Sequence, residues 1–415
     1  MYFDARFARS KESLALVPFQ SLVGQTLPKK VKVSILLVCI LAGGSGDAMF
    51  AIKLRDYIFH WYGIHAHIAT NGVEVMHKLG ATENLISLKP KSGEVQHRPY
   101  DVFDAYTKNR KFELTGYDLV FVAPLTADMH PSEVQKYYRF KQIRTLVPDA
   151  TYGNTFFFSE YNLALSPEIQ FPIGVGSNRL GLFFTHIPES KPVLTDKPYT
   201  IMYLNENDDH LDTCVWRFLE LIVEEYSFDF DIVIPPWMSK WVEEHPLEKH
   251  VKTTIKLQTK TLTTLVKGTR QVITFRADVL PVPHATMTSL VRHSLPLILL
   301  TGDQSFTDAM SCCSKTMTVF YQDLPWKKNF YTSAAEVIPA EHMASYKTSC
   351  GSLQAVHFKP SYAKFVQEWD FRVLGKPYMD AALLTVVDPN AKEFLKIVNT
   401  SRTVKVAKER LAALT

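Results

Sequence analysis

Two glycine-bearing turns hold the residues of this chain best suited to gripping a phosphorylated or hydroxylated ligand. The later one reads Thr301-Gly302-Asp303-Gln304-Ser305-Phe306-Thr307-Asp308-Ala309, directly after the apolar run Leu295-Pro296-Leu297-Ile298-Leu299-Leu300. A buried strand that ends in Gly-Asp-Gln-Ser and passes into a helix leaves backbone N–H groups unpaired beside small polar side chains, an arrangement that holds a phosphate or a sugar hydroxyl. The earlier one, Gly43-Gly44-Ser45-Gly46-Asp47, closes the apolar stretch Val33 to Ala42. Glycines there let the backbone approach a ligand, and the helix that follows offers its N-terminal dipole to an anion or oxyanion. Asp47 then has two readings. As a general base at the mouth of a crevice, its carboxyl would be raised toward neutrality by partial burial; as a cap, it would simply start the helix expected from Ala48.

Further candidates follow at other strand ends. Glu160, in Phe158-Ser159-Glu160-Tyr161, comes after the strand expected at Thr155–Phe158 and belongs to the same rim as Asp47. The second glycine-rich loop, Gly174-Val175-Gly176-Ser177-Asn178-Arg179, frames an acceptor pocket through Gly176 or is a plain turn into the strand after it. Asn205 to Asp209 either cap a helix or face the crevice. Arg276, in the loop leading to His284, offers a guanidinium able to neutralise a diphosphate by bidentate contact. A nicotinamide dinucleotide is disfavoured: Gly-Gly-x-Gly departs from GxGxxG, and the next strand ends in Asn71 where a ribose-binding Asp or Glu is usual. Asp229-Phe230-Asp231 has the spacing of a divalent-cation site, yet it precedes the strand expected at Ile232–Ile234, so no metal is expected.

These residues need strands to carry them. Apolar runs alternate with helical patterns, with strands expected at 33–41, 65–69, 119–123 and 155–158 and helices at 48–61 and 72–79. A Pro-bearing polar stretch at 188–198 reads as a linker. A second alternation follows, with strands at 199–204, 232–234, 272–275, 297–300 and 316–320 and helices at 209–226, 286–292 and 307–312. The reading is an α/β protein of two tandem Rossmann-like, doubly wound domains: a lead-in at 1–30, a first domain at 31–190, a second at 199–390, and a helix at 391–415.

Composition excludes other classes. A chain of 415 residues with 46% hydrophobic and 21% charged residues is an ordinary globular protein, and a net charge of +4 gives no reason to expect nucleic acid. Its five scattered cysteines carry no CxxC, which suits a reducing compartment and opposes a structural zinc. The apolar run near residue 33 is far shorter than the roughly 20 residues that cross a bilayer, and it lies too far from the start for a signal peptide. Cytoplasmic residence, with no transmembrane segment, is the expectation.

With two Rossmann-like halves, a Gly-Gly-Ser-Gly-Asp loop and the late Gly-Asp-Gln-Ser-Phe-x-Asp-Ala turn, the chain resembles the GT-B glycosyltransferases, in particular their metal-independent inverting members. The resemblance implies an acceptor in the first domain, a nucleotide-diphospho-sugar in the second, and reaction in the cleft they face across. It implies Asp47, with Glu160 second, as the base that deprotonates the acceptor. Asp303, Gln304 and Ser305 would bind the sugar or diphosphate, Gly302 would let the backbone approach, and Gly43, Gly44, Gly46, Gly176 and Arg276 would complete the substrate contacts. No cofactor beyond the nucleotide-sugar donor is implied, and the acceptor is open. The rival expectations are a nucleotide-binding oxidoreductase or epimerase, and a non-catalytic sugar-nucleotide-binding protein.

Overall fold

Ile35-Leu36-Leu37-Val38-Cys39 is buried along its whole length, the mark of a strand covered on both faces by helices. In the computed structural model it is the centre of a parallel sheet. The structure describes residues 33–39, 41, 45–88, 117–122, 144–149, 170–172, 174–175, 181–183, 191–206, 210–244, 255–258, 261–266, 269–322, 324, 330–376, 379–380, 383, 409 and 412–414.

The first unit runs β1 (Ile35–Cys39), α1 (Gly46–Tyr62), β2 (His67–Thr70), α2 (Val73–Lys78), β3 (Leu85–Ser87), β4 (Leu119–Val122), β5 (Arg144–Asp149) and β6 (Gln170–Pro172). Its strands are all parallel, in the order β3-β2-β1-β4-β5-β6. That is the doubly wound order whose direction reverses between β1 and β4, and ligands of such sheets bind outside the carboxyl ends at the reversal. The turn after β1 therefore opens on the crevice. Asn71 braces it, its side-chain oxygen accepting from the Leu41 N–H at 2.8 Å and its amide donating to the Leu41 carbonyl at 3.2 Å.

The second unit contains β7 (Tyr199–Ile201), α3 (Leu211–Glu225), β8 (Phe230–Val233), α4 (Met238–Glu244), β9 (Ile255–Gln258), β10 (Thr261–Val266), β11 (Thr269–Arg276), α5 (His284–His293), β12 (Leu297–Leu300), α6 (Asp303–Cys312), β13 (Met317–Tyr321) and α7 (Phe330–Val337). A 3-10 turn (Ala340–His342), β14 (Met343–Thr348), β15 (Gly351–Phe358), α8 (Ser361–Glu368) and α9 (Phe371–Leu374) follow. The strands form two ribbons, β7-β8-β11-β10-β9 and β12-β13-β15-β14. A parallel bridge from Met202 to Leu299 joins them, reinforced by Leu295 N–H donating to Tyr199 O at 2.6 Å and Tyr203 N–H to Leu299 O at 2.8 Å. The centre, β11-β8-β7-β12-β13, is parallel, while β9-β10 and β14-β15 add antiparallel edges. A doubly wound reading thus holds for the middle of the sheet, and hairpins extend it at both sides. This sheet reverses direction between β7 and β12, so the turns after those two strands face its crevice.

Packing follows from the patterns. On α3, Leu211, Val215, Phe218, Leu219 and Ile222 fall on one helical stripe and are buried, with Phe218 edge-on to Phe320 at 5.6 Å. Each such fully buried large apolar side chain contributes about 1.5–3 kcal/mol. The opposite face of the same sheet is covered by Leu290, Val291, Phe306, Met310 and Phe365 from α5, α6 and α8.

The chain does not stay in its own unit. Phe371, Met379 and Leu383, inside the span assigned by sequence to the second domain, pack in the first unit's core beside Tyr57 and Phe183. Trp61 donates to the Arg372 carbonyl at 3.1 Å and Tyr62 to Asp380 at 2.6 Å. The crossing is pinned where Leu182 pairs with Asp370: Leu182 N–H donates to Trp369 O at 2.6 Å and Phe371 N–H to Leu182 O at 2.8 Å. Gly181 makes this approach possible. Its φ of 96° lies in the left-handed region, and a Cβ there would collide with the Trp369 carbonyl. In the tail, Glu409 and residues 412–414 are helical, and Leu414 packs against the second unit's core.

Gly181→Ala is expected to cost more than about 1 kcal/mol, from forced φ and the clash with Trp369. Chemical denaturation would show it as a lowered midpoint; an unchanged midpoint would mean that the crossing at Leu182 is dispensable.

Candidate functional site

The two crevice turns meet. Ser45, the residue before α1, places its hydroxyl 2.8 Å from the hydroxyl of Tyr203, which follows β7 in the second unit. The carboxyl end of β1 thus faces the carboxyl end of β7. Behind Tyr203 the loop is held rigid by Gln322, fully buried at the end of β13. Its oxygen accepts from the Asn205 N–H at 2.8 Å and its amide donates to the Asn205 carbonyl at 3.1 Å.

Asp47 stands in the first turn of α1, half-buried, one residue inside a helix that starts at Gly46 and not at Ala48. The cap position therefore belongs to Ser45, whose side chain makes no capping bond. Asp47 still complements the positive helix end, and its own carbonyl accepts from the Cys39 thiol at 3.4 Å. Gly46 is exposed with open space around its Cα. Gly43, Gly44, Glu160 and Gly176 lie outside the described residues.

On the other side, α6 starts four residues earlier than the pattern from Thr307 suggested, because Gly302 turns the chain out of β12 with φ 85°. Nothing lies within 4 Å of a Cβ built on Gly302, so the turn borders open space. Asp303 opens the helix, and Ser305 is half-buried in its first turn. Gln304 is 7% exposed and turned inward, its amide donating to Asp308 at 2.9 Å. Its side-chain oxygen has no hydrogen-bond partner, and neither does the hydroxyl of buried Thr301 just before the turn. Buried polar atoms are rarely left so, and this pair flanks the N-terminus of α6, where backbone N–H groups favour an anion.

Beneath this turn lies a charge network that sequence reading did not pick out. Asp308 accepts from Lys53 Nζ of α1 at 2.7 Å on Oδ1, the oxygen that also receives Gln304, and from His284 Nε2 of α5 at 2.8 Å on Oδ2. An ionised carboxylate only accepts, so His284 carries its proton on Nε2. Lys53 also reaches the Phe183 carbonyl at 3.4 Å. Burial by itself would raise the Asp308 carboxyl, but the Lys53 charge and the His284 contact outweigh it and hold it well below the usual range. Burial depresses Lys53, and Asp308 opposes that depression. Asp308 has three donors to Lys53's principal one, so the network is an ionised carboxylate with a buried ammonium partner. A polar signal was present: Lys53 interrupts the apolar stripe Phe50, Leu54, Tyr57 of α1, and Gln304 and Asp308 stand four apart on α6.

Arg276 departs from its expected role. Its guanidinium is held in bidentate fashion by Asp278 at 2.8 and 2.9 Å and reaches Asp231 at 3.3 Å, so a diphosphate would have to displace carboxylates of the chain itself. The Asp-x-Asp pair is likewise engaged: Asp231 lies within β8 rather than in a lead-in turn, and Asp229 accepts from the Val272 N–H at 2.8 Å. Among the described residues no three metal-ligating side chains converge. No helix among the described residues is long and apolar enough to cross a membrane. All five cysteines are free thiols.

No protein-family model and no curated protein matches the chain. Among solved structures, it is similar to a Staphylococcus aureus MnaA in complex with UDP, at 11% identity over 74% of this chain and 89% of that one, TM-score 0.43. A putative UDP-N-acetylglucosamine 2-epimerase from Listeria monocytogenes gives 10% identity over 92% and 96%, TM-score 0.41. The glycosyltransferase SnogD from Streptomyces nogalater gives 11% over 73% and 85%, TM-score 0.35. Likenesses of this size determine no activity.

Removing one partner of a buried ion pair strands the other, so Asp308→Ala is expected to lose about 3–5 kcal/mol, measured as unfolding free energy in urea. The carboxyl is held low in the folded state, so its contribution is complete above the unfolded-state value of about 4. It is lost as pH falls through the folded value. Stability followed by denaturant titration should decline below about pH 4, and Asp308→Asn should flatten that decline.

Proposed function

We propose that this chain is an enzyme acting on a nucleotide-diphospho-sugar, and that it transfers the sugar to an acceptor. The observation that carries the reading is the open turn at Gly302, flanked by the unpartnered Thr301 hydroxyl and Gln304 carbonyl oxygen at the N-terminus of α6. An anionic diphosphate suits the free N–H groups and dipole of that helix end, and a sugar hydroxyl suits the two orphaned groups, one able to donate and one to accept. Across the crevice the Ser45–Tyr203 contact brings the first unit to the end of β7, beside β12.

In this reading Asp47 takes the acceptor proton as the acceptor oxygen or nitrogen attacks the anomeric carbon. The bond from that carbon to the diphosphate breaks, and the leaving charge is met by backbone N–H groups of α6. Ser305 and Asp303 stand on the first turn where sugar contacts would form. The mechanism is proposed as inverting and free of a metal. Arg276 is left out of the diphosphate contacts, because Asp278 and Asp231 already take its donors. Free thiols throughout suit a reducing compartment such as the cytoplasm.

An epimerase would use the same binding turn with different chemistry. Incubation with a panel of UDP-, dTDP- and GDP-sugars distinguishes the two by product: transfer or hydrolysis releases the nucleotide diphosphate, whereas epimerisation returns an isomeric sugar. The expectation is a thermal shift with at least one member of the panel and release of its nucleotide. Asp47→Asn should retain the shift and lower turnover by about 10²–10⁴-fold. A panel with no shift at all, at ligand concentrations in the millimolar range, would remove the proposal.

A further inference from the structure

The buried carboxylate of Asp308 joins three elements through side-chain hydrogen bonds. It receives Lys53 from α1 of the first unit, His284 from the start of α5 and Gln304 from its own helix. We propose that Asp308 is a positioning residue that couples docking of the two units to ligand binding, the ammonium of Lys53 and the amide of Gln304 sharing one oxygen of its carboxylate.

The geometry gives the coupling a direction. Gln304 Nε2 is fixed on Asp308 Oδ1 at 2.9 Å, so its carbonyl oxygen is turned away from that carboxylate and left buried without a hydrogen-bond partner, two residues along the chain from Gly302. The same Oδ1 takes Lys53 at 2.7 Å, while His284 holds Oδ2 at 2.8 Å, so the carboxylate plane is set by groups from both units. Lys53 is buried, and its position follows α1, which Ser45 precedes, whose first turn carries Asp47 and whose last turn bonds Arg372 and Asp380. Withdrawal of α1 would take the ammonium with it and leave the carboxylate to re-aim toward the remaining donors, and Gln304 would move with it. Docking of α1 on α6 therefore sets the orientation of an amide in the binding turn. By linkage, a ligand that bonds the Gln304 oxygen favours the docked arrangement by the same factor. The inference rests on the proposed sugar-nucleotide site for its ligand and on the described contacts alone for its coupling.

The test separates these two parts. Hydrogen exchange by mass spectrometry would follow residues 301–312 in the wild type, in Lys53→Met, and in Tyr62→Phe. The last variant loses a different α1 contact, to Asp380, and leaves Asp308 untouched. Faster exchange of 301–312 in Lys53→Met but not in Tyr62→Phe is expected. The dissociation constant of whichever panel nucleotide sugar binds the wild type should rise about 5- to 100-fold in Lys53→Met and stay within about twofold in Tyr62→Phe. Lys53→Leu, which also removes the donor, supplies the same comparison should the methionine variant not fold. Equal exchange in the wild type and the Lys53 variants, or equal acceleration in Tyr62→Phe, would overturn the coupling. A wild type that binds no nucleotide sugar while Lys53→Met still loosens 301–312 would instead leave the coupling standing and remove only the assignment of the site.

Discussion

A carboxylate buried between two domains is costly unless hydrogen-bond donors reach it, and at Asp308 three of them do. The desolvation of one carboxylate and one ammonium is offset only because a second and third donor, His284 and Gln304, reach the same group. Each donor comes from a different place: the first unit, the start of α5, and the turn after β12. The ion pair thereby constrains how α1, α5 and α6 can sit together. Apolar replacement of such a network would often be tolerated or even stabilising. Its presence is best understood through what it orients.

What it orients is a crevice formed by strand ends. In each sheet the order reverses once, between β1 and β4 in the first and between β7 and β12 in the second, and among the described residues polar side chains follow β7 and β12. The Ser45–Tyr203 contact lies at the mouth, the Lys53–Asp308 pair beneath it, and the returning segment at Phe371–Leu383 behind it. Helix α1 takes part in all three. Its first turn offers Asp47 to the crevice, its middle carries the buried lysine, and its end clasps the late chain. In the proposed reading, a sugar nucleotide would meet this arrangement with its diphosphate at the helix end and its hydroxyls at the turn.

Legibility varied with the range of the interaction. The central strands near 35, 199, 297 and 317 were readable, since an apolar run interrupted at most by a threonine means a strand covered on both faces. The edge hairpins β9-β10 and β14-β15 were not, because their sequences mix polar and apolar residues without such a run and the strands are defined by their partners. The start of α6 was misplaced at Thr307, since Asp303 and Ser305 read as turn residues until Gly302 is seen to turn the chain into the helix. Arg276 illustrates the limit for sites. Its type and position after β11 fit a diphosphate, but Asp278, two residues on, takes its fork first.

Local pattern was sufficient for the α/β class, the two successive alternations, the strand-to-helix turns at Ser45 and Gly302, and the candidacy of Asp47, because each depends on neighbours a few residues apart. Which cation would neutralise Asp308 depended on folding as a whole: Lys53 lies 255 residues away in the chain. Nothing at either position names the other. Two helices from separate sheets had to be brought face to face before a lysine in an apolar stripe and an aspartate at the end of a turn motif became a single bonded group.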